Sequence, residues 1–215
     1  MKKILYWIIG LFVYLMLLPH PAVLAVGEFT ADYDVDYNVS PDGKTIVTQN
    51  IKLTNNLTNL YPTKYSILID SEKIHDVVAY DSKGVIRPSI TQTDGKTNIT
   101  LSFNDQVVGV GKSLPFTLRF INDDVAQKNG SIWEINIPGI TPDPDIRSYA
   151  ASLTVPNSFG TSAYLSPKPA DGKRWNKAQM TSGGVSAAYG QIQAFSLHLN
   201  YFLQNPRVTP ATLEI

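Results

Sequence analysis

The chain has 215 residues, no cysteine, and 18 basic side chains that balance 18 acidic ones. Without cysteine, the chain has no thiol nucleophile, no thiolate metal site and no disulfide. A near-neutral surface exerts no long-range attraction on phosphate backbones, so nucleic acid is not expected as a partner. The length is sufficient for one large domain or two small ones.

The first 25 residues are predicted to be a signal peptide. A basic Lys2-Lys3 start precedes an apolar run over residues 4–18, and Ala25 suits a signal peptidase site. The alternative is a membrane anchor made by residues 4–25, although about 15 apolar residues are short of the roughly 20 that a span needs. We therefore expect a secreted or extracytoplasmic protein that meets a membrane only through this segment.

The first strand after the signal is predicted at residues 30–39, where the side chains alternate in character. One face carries apolar and aromatic residues and the other carries mostly acids: Ala31, Tyr33, Val35, Tyr37 and Val39 against Asp32, Asp34 and Asp36. A period of two is typical of a half-buried strand. Because Ser40-Pro41-Asp42-Gly43 is a β-turn sequence and residues 45–53 alternate again, the pattern predicts a hairpin.

The same pattern continues along most of the chain. Further strands are predicted at 65–69, 74–80, 85–90, 98–103, 114–121, 131–137, 149–155, 163–165, 175–180, 185–189 and 191–203. The only short stretch that could be helical is 123–129. Many short strands separated by turns predict an all-β fold, a large antiparallel β-sandwich of the supersandwich kind in one lobe or two.

A proline-rich stretch interrupts this pattern at residues 138–147. Three prolines and a glycine within it cannot sustain a strand ladder or a helix. We therefore predict a first β lobe at 26–137, a connection at 138–147 and a second lobe at 148–205. Residues 206–215 are interpreted as the start of a truncated segment, with a natural chain end as the alternative.

The sequence contains no complete catalytic or metal-binding motif. It has neither H-E-x-x-H nor G-x-S-x-G, and neither His75 nor His198 has a carboxylate at motif spacing. The acids of residues 32–36 have the opening spacing of a calcium loop, but Tyr37 occupies the position of its glycine. The acids are better explained as a solvent face. We expect no catalytic residue, no cofactor and no metal.

Aromatic residues are the candidates for ligand contact. Trp133, Trp175 and Tyr164 could stack on a sugar ring, and Tyr189 is a further aromatic of this kind. Trp and Tyr are more often core or rim residues of sandwiches, so burial is the alternative.

The order of these features resembles two known families. The segments TIVTQNIKLTNN, VVAYDSKGVI, SIWEINIPGI and LTVPNSFG are similar to the N-terminal β region of secreted bacterial transglutaminase-like proteins. The resemblance covers residues 28–205, and it implies a papain-like catalytic domain downstream. A weaker resemblance is to the N-terminal β domain of zinc aminopeptidases, whose zinc motif would also lie downstream.

Both resemblances imply the same role for this chain. We expect an exported, non-catalytic β-sandwich module, the N-terminal scaffold or binding part of a larger transglutaminase-like protein. Its partner would be a downstream domain of that protein or a component of the cell envelope. The alternatives are a self-contained extracellular adhesion or carbohydrate-binding protein, and a hydrolase whose triad assembles only in space.

Overall fold

The computed structural model describes residues 27–190, whose regular secondary structure is almost entirely β-strand. The strands are β1 (Phe29–Val39), β2 (Thr45–Asn55), β3 (Lys64–Ile69), β4 (Ile74–Asp81), β5 (Gly84–Ile86), β6 (Ser89–Thr93), β7 (Lys96–Ser102), β8 (Ser113–Asn122), β9 (Ala126–Asn129), β10 (Ile132–Ile137), β11 (Ile146–Thr154), β12 (Ser162–Ser166), β13 (Arg174–Asn176) and β14 (Val185–Tyr189). A 3₁₀ turn at Asn157–Phe159 and a helix α1 at Lys177–Thr181 complete the described part. The predicted all-β class is confirmed.

The strands form three sheets. The large sheet has seven strands in the order β13-β11-β1-β2-β8-β4-β5, a second has the order β12-β14-β10-β9, and a third has the order β3-β7-β6. The pairings are antiparallel except for β1 with β11, which run parallel. The predicted β-sandwich is confirmed, and this one pair adds a parallel contact to its otherwise antiparallel sheets.

One contiguous hydrophobic core joins the three sheets. The alternation in β2 and β8 places every second side chain inside, as the sequence pattern predicts. The small sheet packs on the large one through Phe116, whose ring lies 5.0 Å from that of Tyr65 and 4.9 Å from that of Phe103. Both contacts are edge-to-face, a geometry that aromatic pairs prefer.

The predicted hairpin at the start of the fold is confirmed. β1 and β2 pair along their whole length, from Phe29 opposite Asn55 to Val39 opposite Thr45. The strand predicted at 85–90 instead divides into β5 and β6, which belong to different sheets. Pro88 lies at the division, and its missing N–H cannot continue a ladder.

Two other stretches differ from their predicted structure. Residues 175–180 were predicted as a strand, but β13 ends at Asn176 and helix α1 follows. The Asn176 side chain accepts from the Gln179 N–H while the Gln179 side chain accepts from the Asn176 N–H, a capping box that starts the helix. The stretch 123–129, considered as a helix, contains the short strand β9.

Strands from both sides of the proline-rich connection share sheets. β11 pairs with β1, and β14 pairs with β10. The division of the chain into domains at 138–147 stays a prediction. The predicted signal at 1–25 and the segments at 191–203 and 206–215 lie outside the described residues. The second predicted lobe is described as far as residue 190.

Within residues 27–190, the helices are too short and too polar to cross a membrane.

The turn of the first hairpin contacts the second sheet at Gly43. This glycine has a φ of +90°, and a Cβ built there would lie 2.7 Å from Cζ3 of Trp133. Two constraints therefore act at one position, because the backbone conformation disfavours other residues and the indole ring occupies the space of a side chain.

We predict that Gly43→Ala destabilises the fold more than Gly95→Ala does. Gly95 also lies in a hairpin turn, with a φ of +79°, but a Cβ there meets nothing within 4 Å. Left-handed strain alone should cost Gly95→Ala about 1–2 kcal/mol. The clash with Trp133 should add about 1–3 kcal/mol at Gly43. Urea unfolding measures both changes, and equal values would contradict the packing role of Gly43.

Candidate functional site: a tyrosine-lined groove between two sheets

A groove of about 640 Å³ lies between the inner face of the large sheet, strand β3 and the proline-rich connection. Its size falls in the range of ligand sites in proteins, about 300–1,000 Å³. The floor comes from β1, β2 and β8, one wall from β3 and the other from residues 138–144. Residues 138–144 include three prolines, which have no N–H to donate to a neighbouring strand. This wall is therefore a loop and not a strand.

Four tyrosines contribute hydroxyl groups to the groove. The hydroxyls of Tyr33 and Tyr65 lie 3.0 Å apart, and the rings of Tyr33 and Tyr149 lie 5.6 Å apart. Tyr37 and Tyr149 also line the groove. The chain thus places one hydrogen-bonded pair of hydroxyls and two further tyrosine hydroxyls along the groove, beside other polar residues such as Gln49.

Burial keeps these tyrosines protonated. It raises the pKa of Tyr37 to about 12, although the neighbouring Tyr149 hydroxyl acts in the other direction. Burial also raises the pKa of Tyr65 well above its ordinary value, with the neighbouring Tyr33 hydroxyl adding to the effect. The phenol groups therefore act as neutral hydrogen-bonding groups and not as bases.

Gln49 places a polar group on the floor of the groove. Its side chain is 6% exposed, and Oε1 has no hydrogen-bond partner among residues 27–190. A buried carbonyl oxygen without a partner costs about 1–3 kcal/mol. An N–H or O–H donor in the groove would remove this cost.

Strand β3 presents a free edge to the groove. It pairs with β7 on one side, and within residues 27–190 no strand pairs with its other side. Residues 65–70 all line the groove, including residues on both faces of the strand. The groove wall is therefore the strand edge itself, where backbone N–H and C=O groups are open to an added strand.

His75, the one histidine among residues 27–190, does not have the surroundings of a hydrolytic catalyst. Nδ1 of His75 lies 3.1 Å from Asp76, and Nε2 lies 3.2 Å from Asp123. Both ring nitrogens are thus engaged by carboxylates. The nearby Ser71 hydroxyl donates to Asp124, at 2.6 Å, and not to the imidazole. A nucleophile–base pair is not assembled around His75.

The three aromatic candidates of the sequence analysis lie apart from the groove. Trp175 is 2% exposed, and its Nε1 donates to the Pro167 carbonyl at 2.7 Å. Trp133 stacks on Phe159 with ring centroids 4.2 Å apart. Tyr164 is 55% exposed. Trp175 therefore has no open ring face, while ligand contact by the other two stays a prediction.

The acidic row of β1 lies on the opposite face of the large sheet from the groove. Arg147, followed by Ser148 and Lys52, holds the pKa of Asp32 well below its usual range despite partial burial. Asp34 pairs with Arg174 at 3.1 Å. The described residues contain no cluster of His, Asp or Glu with the geometry of a metal site.

The groove is not predicted by the sequence pattern, although the sequence carries a signal for it. Tyr33 and Tyr37 occupy inward positions of β1, where a hydroxyl needs a buried partner. Gln49 likewise interrupts the inward apolar row of β2. Polar atoms at core positions of two adjacent strands indicate an interior that is not purely apolar.

No protein-family model matches this chain, and no curated protein matches it either. Similar solved structures include native yeast LTA4 hydrolase, at 12% identity and a TM-score of 0.44, covering 75% of this chain and 29% of that one. An M1 zinc metallopeptidase from Deinococcus radiodurans has 12% identity and a TM-score of 0.38, covering 77% of this chain and 39% of that one. A variant of a two-domain M1 zinc metallopeptidase bound to L-tryptophan has 12% identity and a TM-score of 0.42, covering 76% and 43%.

The chain thus spans less than half the length of these structures. The likeness is a weak one, to the N-terminal β domain of M1 zinc aminopeptidases, and it establishes no family. The resemblance to transglutaminase-like proteins finds no support in these comparisons.

We predict that the protein loses stability as the pH rises above about 10. Between the ordinary tyrosine pKa of 10.0 and the value of about 12 for Tyr37, the unfolded chain releases a proton that the folded chain keeps. The free energy of unfolding should therefore fall by about 1.4 kcal/mol per pH unit for this residue, and below pH 10 its contribution is complete.

Urea unfolding between pH 8 and pH 11.5 measures this slope. Tyr37→Phe should make it shallower by about 1.4 kcal/mol per pH unit. Tyr164→Phe, at an exposed position of β12, is the matched control and should leave the slope unchanged. Equal slopes for the wild type and Tyr37→Phe would show that burial of the hydroxyl does not matter.

Proposed function

We propose that this chain is an exported, non-catalytic β-sandwich module that serves as the N-terminal scaffold of a larger protein. The observation that carries the proposal is the groove with the free edge of β3. Such an edge can hold a polypeptide segment through backbone hydrogen bonds, and side-chain pockets beside it select the segment. The described residues around His75 offer no comparable arrangement for catalysis.

The larger protein would carry a transglutaminase-like domain after this module. The support for this finer proposal is the order of strand and turn segments over residues 28–205 in the sequence. Export rests on the basic and apolar character of residues 1–25. The partner is a domain of the same protein or a component of the cell envelope.

The reading frame beyond codon 215 tests the scaffold proposal. We expect the frame to continue into a catalytic domain, and deletion of residues 27–190 from that full protein should lower its secreted yield or its activity. A stop codon directly after Ile215, with a stable secreted product of this size, would contradict the proposal.

Carbohydrate binding is a second candidate, favoured by the outer face of the large sheet. A depression of about 620 Å³ there is lined by Tyr80, Asn50, Asp34 and Arg174 among others. Tyr80 is 49% exposed, and Asn50 accepts from the Thr117 hydroxyl at 2.9 Å. An exposed aromatic ring beside amide, carboxylate and guanidinium groups suits a sugar.

A glycan array with the secreted protein tests this candidate. If a glycan binds the outer face, Tyr80→Ala should reduce its affinity about tenfold, the loss of one good stacking contact. Tyr164→Ala, at another exposed tyrosine, is the control for nonspecific aromatic contact. Absence of binding to every glycan, or equal losses for the two variants, would count against the outer face as a sugar site.

A further inference from the structure

The groove between the large sheet and β3 carries negative charge and no positive charge of its own. The described residues that line it include two acids, Asp70 and Asp143, and no lysine, arginine or histidine. Asp70 is neutralised by Lys96, whose Nζ lies 2.8 Å from its carboxylate. No cationic side chain among residues 27–190 forms an ion pair with Asp143. The uncompensated charge of the groove is therefore that of Asp143.

The Asp143 carboxylate acts on the side of the groove where the tyrosines lie. Its Oδ1 accepts from the Asp145 N–H at 2.8 Å, while the Lys177 ammonium donates to the Asp143 main-chain carbonyl at 2.9 Å and not to the carboxylate. Burial raises the pKa of Tyr33, and the negative charge of Asp143 adds to this rise. A cation in the groove would thus find an available carboxylate beside the tyrosine hydroxyls.

Gln49 adds an acceptor on the floor of the groove, between two of the tyrosines. It lies opposite Val35 of β1, so Tyr33 and Tyr37 are its diagonal neighbours on the same face of the sheet. Its Oε1 is buried without a hydrogen-bond partner among residues 27–190, although the side chain lines the groove. An occupant of the groove could supply the missing donor.

The register of β3 shows which of its peptide groups are free. The Thr63 carbonyl accepts from the Phe103 N–H at 3.0 Å, and the pairing with β7 then continues without a shift. Hydrogen-bonded positions alternate along an antiparallel pair, so the odd-numbered residues of β3 bond to β7. The N–H and C=O groups of Ser66 and Leu68 therefore point to the other edge, and both residues line the groove.

A polypeptide strand added along this edge would place every second side chain over the groove floor. In β3 itself, alternate residues from Tyr65 to Ile69 are half-buried, and the residues between them are exposed. An added strand continues the same pleat. The floor combines apolar residues, such as Val47 and Phe120, with the acceptors described above. The inward side chains of the strand should therefore be apolar, with one hydrogen-bond donor among them.

We propose that the groove binds an extended polypeptide of a partner protein through backbone pairing with Ser66 and Leu68 and through one inward lysine side chain. The lysine ammonium is received by the Asp143 carboxylate and by Oε1 of Gln49. An ammonium has three donors that diverge from one atom, which suits acceptors on separate elements of the fold. A guanidinium, whose donors form a flat fork, better suits the two oxygens of one carboxylate. This inference rests on the proposed role of the groove in holding a polypeptide segment.

Calorimetric titration of the full chain with three blocked seven-residue peptides tests the choice of lysine. Each peptide has threonine at the odd positions and valine at the second and sixth, and its fourth residue is lysine, acetyl-lysine or glutamate. We expect the lysine peptide to bind at least about tenfold more tightly than the acetyl-lysine peptide, which has no charge, and the glutamate peptide to bind most weakly. Equal affinities for the lysine and acetyl-lysine peptides, or no binding of the lysine peptide, would overturn the proposal.

Two variants of the groove test the two acceptors. Asp143→Asn should weaken binding of the lysine peptide about tenfold and leave the acetyl-lysine peptide unaffected. Gln49→Leu should also weaken the lysine peptide about tenfold, and thermal unfolding checks that the fold tolerates an apolar side chain of similar size. Glu134→Gln, at an exposed acid of β10 outside the groove, is the matched control and should change neither affinity. Equal losses for Asp143→Asn and Glu134→Gln would show that only net charge matters and would overturn the proposal.

Hydrogen exchange measured by NMR tests where the peptide lies. With the lysine peptide bound, the amides of Ser66 and Leu68 should exchange about tenfold more slowly or less, while the Ile67 amide, which already bonds to β7, should change little. Unchanged exchange at Ser66 and Leu68 would overturn the proposal. Protection of both amides without peptide would also overturn it. Protection that grows with protein concentration would assign the edge to a second copy, and protection independent of concentration would assign it to another part of the same chain.

The proposed scaffold role and this inference can fail separately. If the lysine and acetyl-lysine peptides bind equally and both protect Ser66 and Leu68, the groove holds a polypeptide and the choice of lysine is wrong. If the reading frame continues and no peptide binds, the scaffold role stands without this inference. A stop codon after Ile215 together with lysine-selective binding would remove the downstream domain and keep the inference.

Discussion

The fold depends on the two-sided pairing of β1. This strand is antiparallel to β2 and parallel to β11, so its backbone is hydrogen-bonded along both edges. With both edges occupied, the period of two in its sequence determines the character of both faces of the large sheet. The inward tyrosines then reach the groove, and the outward acids reach the cations of neighbouring strands.

Those two faces place different demands on their polar groups. On the outer face, Asp32 is matched by Arg147 and Lys52 in an exposed ion-pair network. Such pairs are worth little individually, about 0–1 kcal/mol, and mainly keep the face soluble. On the inner face, an unpaired group is costly, so two of the tyrosine hydroxyls pair with one another. Gln49 is the exception there, which is why its carbonyl oxygen is informative about what the groove accepts.

Features governed by local sequence could be predicted, and features governed by long-range pairing could not. The hairpin of β1 and β2 follows from alternation and from the turn at Gly43, both of which are local. The parallel pairing of β1 with β11 joins residues more than 100 positions apart, and period alone does not encode a partner. The burial of Trp175 depends on the same pairing, because β13 is attached to β11. The groove needed its floor strands, strand β3 and the proline-rich connection to meet, so only its inward polar residues, the tyrosines and Gln49, were visible in the sequence.

The pairing of β1 with β11 also has a consequence for the order of events during synthesis. β1 and β2 can close a hairpin as soon as about 30 residues of the sandwich have appeared, a local step. The second edge of β1 must then wait for β11, since Asp32 and its partner Ser148 are 116 residues apart. During that interval the strand is exposed and could pair with another molecule. Asp32, Asp34 and Asp36 lie along β1, and repulsion between their like charges discourages this pairing with another molecule while the second edge of β1 is open. The acidic row can therefore protect the unfinished chain before it takes up its ion pairs in the finished sheet.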